Sequence, residues 1–223
     1  MVPGMSITVH HLDYSRSLRV LWMLEELGLS YSVREWKRDA QFRAPIEAQR
    51  VHPLGRFPMV EVDGRVLVES GAILEYFAER EGKLRPAGGE ELLAYRFFLH
   101  YAEASVMPPL LVQLILDRIR GASVPWLARP VARAIAGEVE KAFSRPAIDL
   151  HFGFMEQALA KWPFVAGDAL TMADIQLYFA VEAGANRGAA SGPILSGWLA
   201  RVREREAFQR AVDKGGPALP SVR

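Results

Sequence analysis

The strongest constraint on this chain is a change of hydrophobic period near residue 82. Before it, short alternating runs and one amphipathic stripe follow each other. "SITVHHL", residues 6–12, has the β-branched residues of a strand. "SRSLRVLWMLEELG" places Leu18, Leu21, Leu24 and Leu27 at spacing three, broadened by Val20 and Trp22, and predicts a helix ending near Gly28. Residues 30–36 read as a second strand, and residues 41–50 as a short helix or irregular segment. In "FPMVEVDGRVLVESGAILEYF", Val60 and Val62 precede Asp63-Gly64, and Val66 and Val68 follow it. Asp-Gly accepts the positive φ angles of a type I′ turn, so this is a hairpin. A helix over 71–81 closes at Gly82. The order β-α-β-(α)-β-β-α predicts a parallel pair joined by a right-handed crossover, extended by an antiparallel strand, with helices on the faces of a mixed sheet.

After "GKLRPAGGE", a Gly- and Pro-rich linker at 82–90, the chain reads as helical throughout. Segments are expected over 90–121, 128–161 (interrupted at Pro146), 172–187 and 194–210. The division is therefore 1–82 and 90–223. The tail "KGGPALPSVR" reads as loosely held.

Charge and cysteine content exclude several classes. There are 27 Lys and Arg against 26 Asp and Glu, so nothing in the balance argues for nucleic acid or an anionic membrane surface. With no cysteine, thiolate catalysis by the protein and zinc–thiolate sites are excluded. His10 and His11 are consecutive on a strand and face opposite ways, so they cannot jointly hold a metal. The most apolar run, "PPLLVQLIL", is broken by Gln113 and reads as too short to cross a bilayer. "MVPGMSITV" lacks the parts of a signal peptide, Met5 is a second possible start, and a cytoplasmic protein is the expectation.

The chemistry gathers where strands become helices. Pro58 cannot donate a ladder hydrogen bond. Glu69 and Ser70 stand where backbone N–H groups at a helix start suit an anion, although a serine there also serves as an ordinary N-cap. Four pieces, "DYSRSLRVLWMLEELGL", "HPLGRFPMV", "LVESGAILEYF" and "LTMADIQLYF", in this order and spacing, resemble the glutathione transferase family, in particular its serine-type, theta-like and bacterial or fungal branches. The resemblance implies a thioredoxin-like α/β N-terminal domain, an all-helical C-terminal domain, a homodimer, and glutathione as co-substrate without a metal. It implies a cis bond between Phe57 and Pro58, backbone pairing of Phe57 with the cysteinyl part of glutathione, and Glu69 and Ser70 on the γ-glutamyl end. Ser70 would accept the carboxylate at a helix N-terminus, and Glu69 the amino group.

Conjugation needs a thiolate, which a hydroxyl donor near a helix start can stabilise. The resemblance assigns that donor to Ser15, which by itself would read as an N-cap for the first helix. Tyr14 and Ser17 are alternatives, Ser17 fitting better inside the first turn, and Arg16 is a source of positive charge. Lys37, His52 and Arg56 are candidates for the glycyl carboxylate, His52 more simply a structural residue. Glu103 is either a group reaching a ligand amine across a dimer or an exposed helix carboxylate. Thr171 and Asp174 form a capping box, a stability element. The five tryptophans read as core or interface. The expected activity is transfer of glutathione to an apolar electrophile met by the first long helix around Met107–Leu114 and by the C-terminal segments. Peroxidase or dehalogenase chemistry on the same scaffold, and a non-catalytic binding protein, are the alternatives, because one fold hosts many functions.

Overall fold

The computed structural model describes residues 6–121, 125–189 and 192–220; Met5, the second possible start, lies outside them. Strands β1 (Ile7–Leu12), β2 (Ser32–Trp36), β3 (Met59–Val62) and β4 (Arg65–Val68) form one sheet in the order β2-β1-β3-β4. β1 and β2 are parallel, and the other two pairings are antiparallel. The parallel pair is joined through α1 (Ser17–Leu27), and the hairpin turns at Asp63 (φ 49°) and Gly64 (φ 81°), both in the left-handed region that a type I′ turn requires. Residues 46–50 form a single 3₁₀ turn, and α2 (Ser70–Glu81) follows β4. This is the mixed sheet expected from the order of elements, in the thioredoxin-like arrangement that the family resemblance implies.

α1 is apolar on nearly all sides because it is covered on nearly all sides. Its stripe faces the sheet, while Trp22 packs edge-on against Tyr178 and Phe208 with ring centroids 5.8 and 5.2 Å away. Those rings belong to α7 (Met172–Ala185) and α9 (Glu206–Gly215), so α1 joins the sheet to the helical part.

The helical part begins with a continuous run in which α3 (Gly89–Tyr101) and α4 (Met107–Arg120) meet through a π turn at Ala102–Val106. By length and composition this run is long and apolar enough to span a bilayer, which corrects the reading made from "PPLLVQLIL" alone. Its inner side is used within the fold, against α7 and against α5 (Arg129–Val139). A second π turn at Glu140–Ser144 leads into α6 (Arg145–Leu159), with Pro146, which has no N–H to donate, just after that turn.

The segment expected as one helix over 194–210 is two, α8 (Pro193–Arg203) and α9. The break falls at Arg205, whose backbone is extended (φ −68°, ψ 128°) and whose guanidinium binds both Glu26 oxygens at 2.6 and 2.8 Å. The tail is also held more firmly than expected: Ala218 is buried, and the Gly215 carbonyl accepts a 2.7 Å hydrogen bond from His11.

The Thr171–Asp174 capping box is present at the start of α7. Asp174 also accepts from the Val165 N–H (3.0 Å) and the Trp198 indole (3.1 Å). Burial pushes its pKa up, and these donors oppose the shift. Trp22 and Trp198 are core residues as expected, whereas Trp126 stands on the surface.

Candidate active site

Ser15 sits in the turn between β1 and α1. The preceding residue, Tyr14, takes a positive φ of 51°, which folds the chain back so that the next residues point inward. Ser15 is 8 % exposed, and its Oγ lies 2.7 Å from both the Leu12 carbonyl and the Ser17 Oγ. It also accepts the Ser17 N–H at 3.2 Å, so it satisfies one of the helix's free donors. Ser17, the first residue of α1, is fully buried, as its place inside the first turn suggested. Tyr14 is partly exposed and stacks on Phe42 at 6.1 Å.

The second strand-to-helix junction is equally constrained. Glu69 has φ 68°, an uncommon conformation for a residue with a side chain, and Ser70 opens α2 with its hydroxyl buried. The Ser70 Oγ accepts a 3.1 Å hydrogen bond from Arg19, a residue that sequence reasoning passed over. Arg19 is 1 % exposed, and the same guanidinium nitrogen donates to Glu103 at 2.5 Å. Arg16 grips both oxygens of Glu103 at 3.0 and 3.1 Å. Both guanidinium groups lie over the Phe179 ring, 5.1 Å from its centroid. Glu103 is thus a partly buried hub within its own chain rather than a free helix carboxylate.

The charges in this cluster respond in opposite senses. Burial lowers the Arg19 pKa to about 10 despite Glu103 beside it. Burial pushes Glu103 up, but Arg19 and Arg16 more than reverse this and hold it below the usual carboxylate range. Desolvation therefore outweighs attraction for the deeper partner and loses to it for the shallower one. A signal for Arg19 did exist: it is a charge set among Leu18, Val20 and Leu21 on a helix with almost no polar face.

Two adjoining clefts join these junctions. The larger, about 510 Å³, is lined by Ser15, Tyr14, Phe42, Ile46 and Phe179 among others. The smaller, about 220 Å³, is lined by Pro58, Glu69, Ser70 and Glu103. Arg16, Leu54, Arg56 and Phe57 border both. The Phe57–Pro58 peptide bond is cis. Arg56 is exposed at this shared edge, with no ion-pair partner among the described residues.

Two candidates fall elsewhere. Lys37 pairs with Asp13 (3.2 Å) on a separate cleft, and His52 accepts the Leu54 N–H within its own turn. The helical wall of the larger cleft is Phe179, and Met107–Leu114 line neither cleft; Leu110 and Gln113 are buried in the fold. The larger cleft also carries Arg16, Arg38, Arg43 and Arg56 beside its apolar residues, more positive charge than the sequence suggested. Among the described residues no group of three metal-ligating side chains occurs.

The class defined here is a thioredoxin-like domain with a cis-proline and a buried serine before its first helix, joined to a helical domain. Family comparison agrees: residues 5–79 match the glutathione S-transferase N-terminal domain, and residues 124–206 the C-terminal domain. Glutathione S-transferase 1 of Saccharomyces cerevisiae is 32 % identical, over 93 % of this chain and 94 % of its own. Glutathione S-transferase 3 of Schizosaccharomyces pombe is 31 % identical, over 93 % and 87 %. Among solved structures, a glutathione S-transferase from Actinobacillus pleuropneumoniae superposes with a TM-score of 0.73 at 26 % identity, over 96 % of this chain and 94 % of its own. A theta class enzyme from Xanthomonas axonopodis pv. citri, with glutathione bound, shares the fold at 23 % identity and a TM-score of 0.67, over 95 % and 99 %. The chain belongs to the glutathione S-transferase family and is a transferase.

Proposed function

We propose that the protein conjugates glutathione to an apolar electrophile and that Ser15 stabilises the thiolate. The supporting observation is the run of adjoining clefts, with Ser15 at one end, Glu69 and Ser70 at the other, and Phe57–Pro58 between them. In this reading the γ-glutamyl carboxylate meets the Ser70 hydroxyl and the first N–H groups of α2, and the amino group meets Glu69 and Glu103. The Phe57 backbone pairs with the cysteinyl unit. Arg56 takes the glycyl carboxylate, which fits its lack of an ion-pair partner among the described residues. The sulfur then lies over the start of α1 beside Ser15, and the electrophile occupies the cleft against Phe179, Phe42 and Ile46. The bound glutathione in the Xanthomonas relative supports the same ligand here.

The functional division is 1–82 for glutathione and 90–223 for the helical domain. The protein acts in the cytoplasm as a homodimer. The exposed apolar side chains Tyr76, Leu93 and Phe97 on α2 and α3 support pairing, and light scattering at micromolar concentration tests it.

The mechanism is tested by a pH–rate profile with one reactive aryl halide for wild type, Ser15→Ala and Tyr14→Phe. Losing one anion-stabilising donor costs about 10²–10³ in rate. The deficit of Ser15→Ala should shrink as pH rises and the thiol ionises unaided, with glutathione affinity nearly unchanged. A profile moved by Tyr14→Phe and left in place by Ser15→Ala would transfer the role to the tyrosine.

A further inference from the structure

We propose that His11 receives the proton of the glutathione thiol, passed to it through Ser15 and Ser17; this rests on the reading of Ser15 as the group that meets the sulfur.

The direction of the hydrogen bonds carries the argument. The His11 Nε2 lies 2.7 Å from the Gly215 carbonyl, which can only accept, so Nε2 bears the hydrogen. In the neutral ring Nδ1 is then a bare acceptor, and the Ser17 Oγ at 2.8 Å must donate to it. The Leu12 carbonyl is a second, longer acceptor for the Ser17 proton at 3.3 Å, but donation there would leave two lone pairs facing each other across the 2.8 Å gap to Nδ1. With its proton directed to Nδ1, Ser17 can only accept from Ser15, 2.7 Å away. The Leu12 N–H, donating to Ser17 at 3.2 Å, holds that hydroxyl in place. Ser15 therefore sends its own proton inward, to Ser17 or to the Leu12 carbonyl, and turns a lone pair toward the cleft it lines. When Ser15 donates to Ser17 rather than to the Leu12 carbonyl, every proton points from the cleft toward His11. That is the polarity of a chain ready to accept a proton, and it is the reverse of what a thiolate needs from Ser15.

One shift resolves this. The thiol S–H bond breaks and its proton goes to the Ser15 Oγ. The Ser15 proton passes to the Ser17 Oγ, and the Ser17 proton to the His11 Nδ1. The products are a thiolate and an imidazolium, with no change in net charge. Each donor again has an acceptor: Nδ1–H faces Ser17, Ser17 faces Ser15, and Ser15 now faces the sulfur anion. When the conjugate leaves, the chain runs backwards and returns the proton to water in the emptied cleft.

The surroundings suit the transfer. Ser15, Ser17 and His11 are 8, 0 and 2 % exposed, which shields the chain from competing water. Burial holds His11 below the ordinary imidazole range, which keeps it neutral at rest but opposes the imidazolium, so the thiolate formed at the other end of the chain has to offset that cost. Asp13 after β1 and Glu35 on β2 favour the imidazolium, and Lys37 opposes it. Lys214 borders the separate cleft that His11 lines with Asp13, Glu35 and Lys37, but its ammonium is bound to Glu25 at 2.5 Å. The Gly215 carbonyl ends α9, where the helix dipole is negative. A Cβ on Gly215 would stand 2.8 Å from the His11 ring and 2.4 Å from Leu21, so this close approach requires glycine.

The test is a proton count. Each protein is mixed with saturating glutathione in weak buffer near pH 7. Thiolate is read from its ultraviolet absorbance and released protons from an indicator dye, with S-methylglutathione giving the baseline for the amino and carboxyl groups. Wild type should release clearly fewer protons than the thiolate it forms. His11→Gln should release one proton for each thiolate. Ser17→Ala, which breaks the chain but leaves His11 bound to Gly215, should do the same and serves if His11→Gln does not fold. One proton per thiolate in the wild type would overturn the relay while leaving Ser15 as the donor. Undiminished thiolate in Ser15→Ala would instead remove the reading on which the relay rests.

Discussion

Arg19 offers a demanding test of how the two parts of the molecule are joined. Replacing it with Met keeps much of the side-chain volume and removes the charge. The Ser70 hydroxyl then loses a donor at 3.1 Å and Glu103 loses one at 2.5 Å, at a site only 1 % exposed. Glu103 is left with Arg16 on both its oxygens and about a third of its side chain exposed, so the loss should be that of hydrogen bonds to a charged group, about 1.5–3 kcal/mol. With an unfolding slope of roughly 3 kcal/mol per molar urea, the midpoint should fall by about 0.5–1 M. Glu103→Gln strands a buried guanidinium and should cost more, about 3–5 kcal/mol.

The double variant discriminates between mechanisms. Burial already works against the Arg19 charge, so removing both ions should cost clearly less than the two single losses added together, with a coupling of at least about 1 kcal/mol. Urea unfolding followed by tryptophan fluorescence measures all four corners of the cycle. Additive losses, or an unchanged midpoint in Arg19→Met, would refute the claim that this pair acts as one buried unit.

Three further outcomes follow from the geometry. Ser70→Ala removes a hydrogen bond to a charged group and should weaken glutathione by about 1.5–3 kcal/mol, measured by calorimetry; unchanged affinity in the folded variant would exclude Ser70 from the γ-glutamyl site. Asp174→Ala strands the N–H groups of Val165 and Thr171, the Thr171 hydroxyl and the Trp198 indole, and should cost roughly 3 kcal/mol or more in thermal unfolding while leaving kcat of the surviving folded protein near wild type. Burial raises the Glu25 pKa, but hydrogen bonds from Lys214, Tyr31 and Arg210 reverse this and bring it down from 4.5 to about 2, so its stabilisation is complete above pH 4.5 and is lost as pH falls toward 2. Because Lys214 and Arg210 are about half exposed, that contribution should be only about 1–2 kcal/mol, and Glu25→Gln should flatten the acid limb of a stability–pH curve by that much.

The sequence alone determined the elements whose causes are local. The Leu18–Leu27 stripe specifies α1, Asp63-Gly64 specifies the hairpin, and Thr171 with Asp174 specifies the start of α7, because each depends on residues within a few positions of one another. The candidate site was legible to the same extent: Ser15, Pro58, Glu69 and Ser70 all lie at strand–helix or loop–strand junctions that the pattern locates. The single helix drawn over 194–210 was wrong because helical periodicity does not record an extended Arg205 pulled toward Glu26, 179 residues earlier.

Only the tertiary structure decided which distant residues surround the candidate site. Arg19 finds Glu103 at a separation of 84 residues and Ser70 at 51, and His11 finds Gly215 at 204. The helical residue lining the larger cleft is Phe179 rather than any of Met107–Leu114 for the same reason: packing of the helices against one another chooses which apolar face meets the cleft. Periodicity shows that a face is apolar, but a buried charge or a fixed tautomer is set by a partner that the chain brings near only after it has folded.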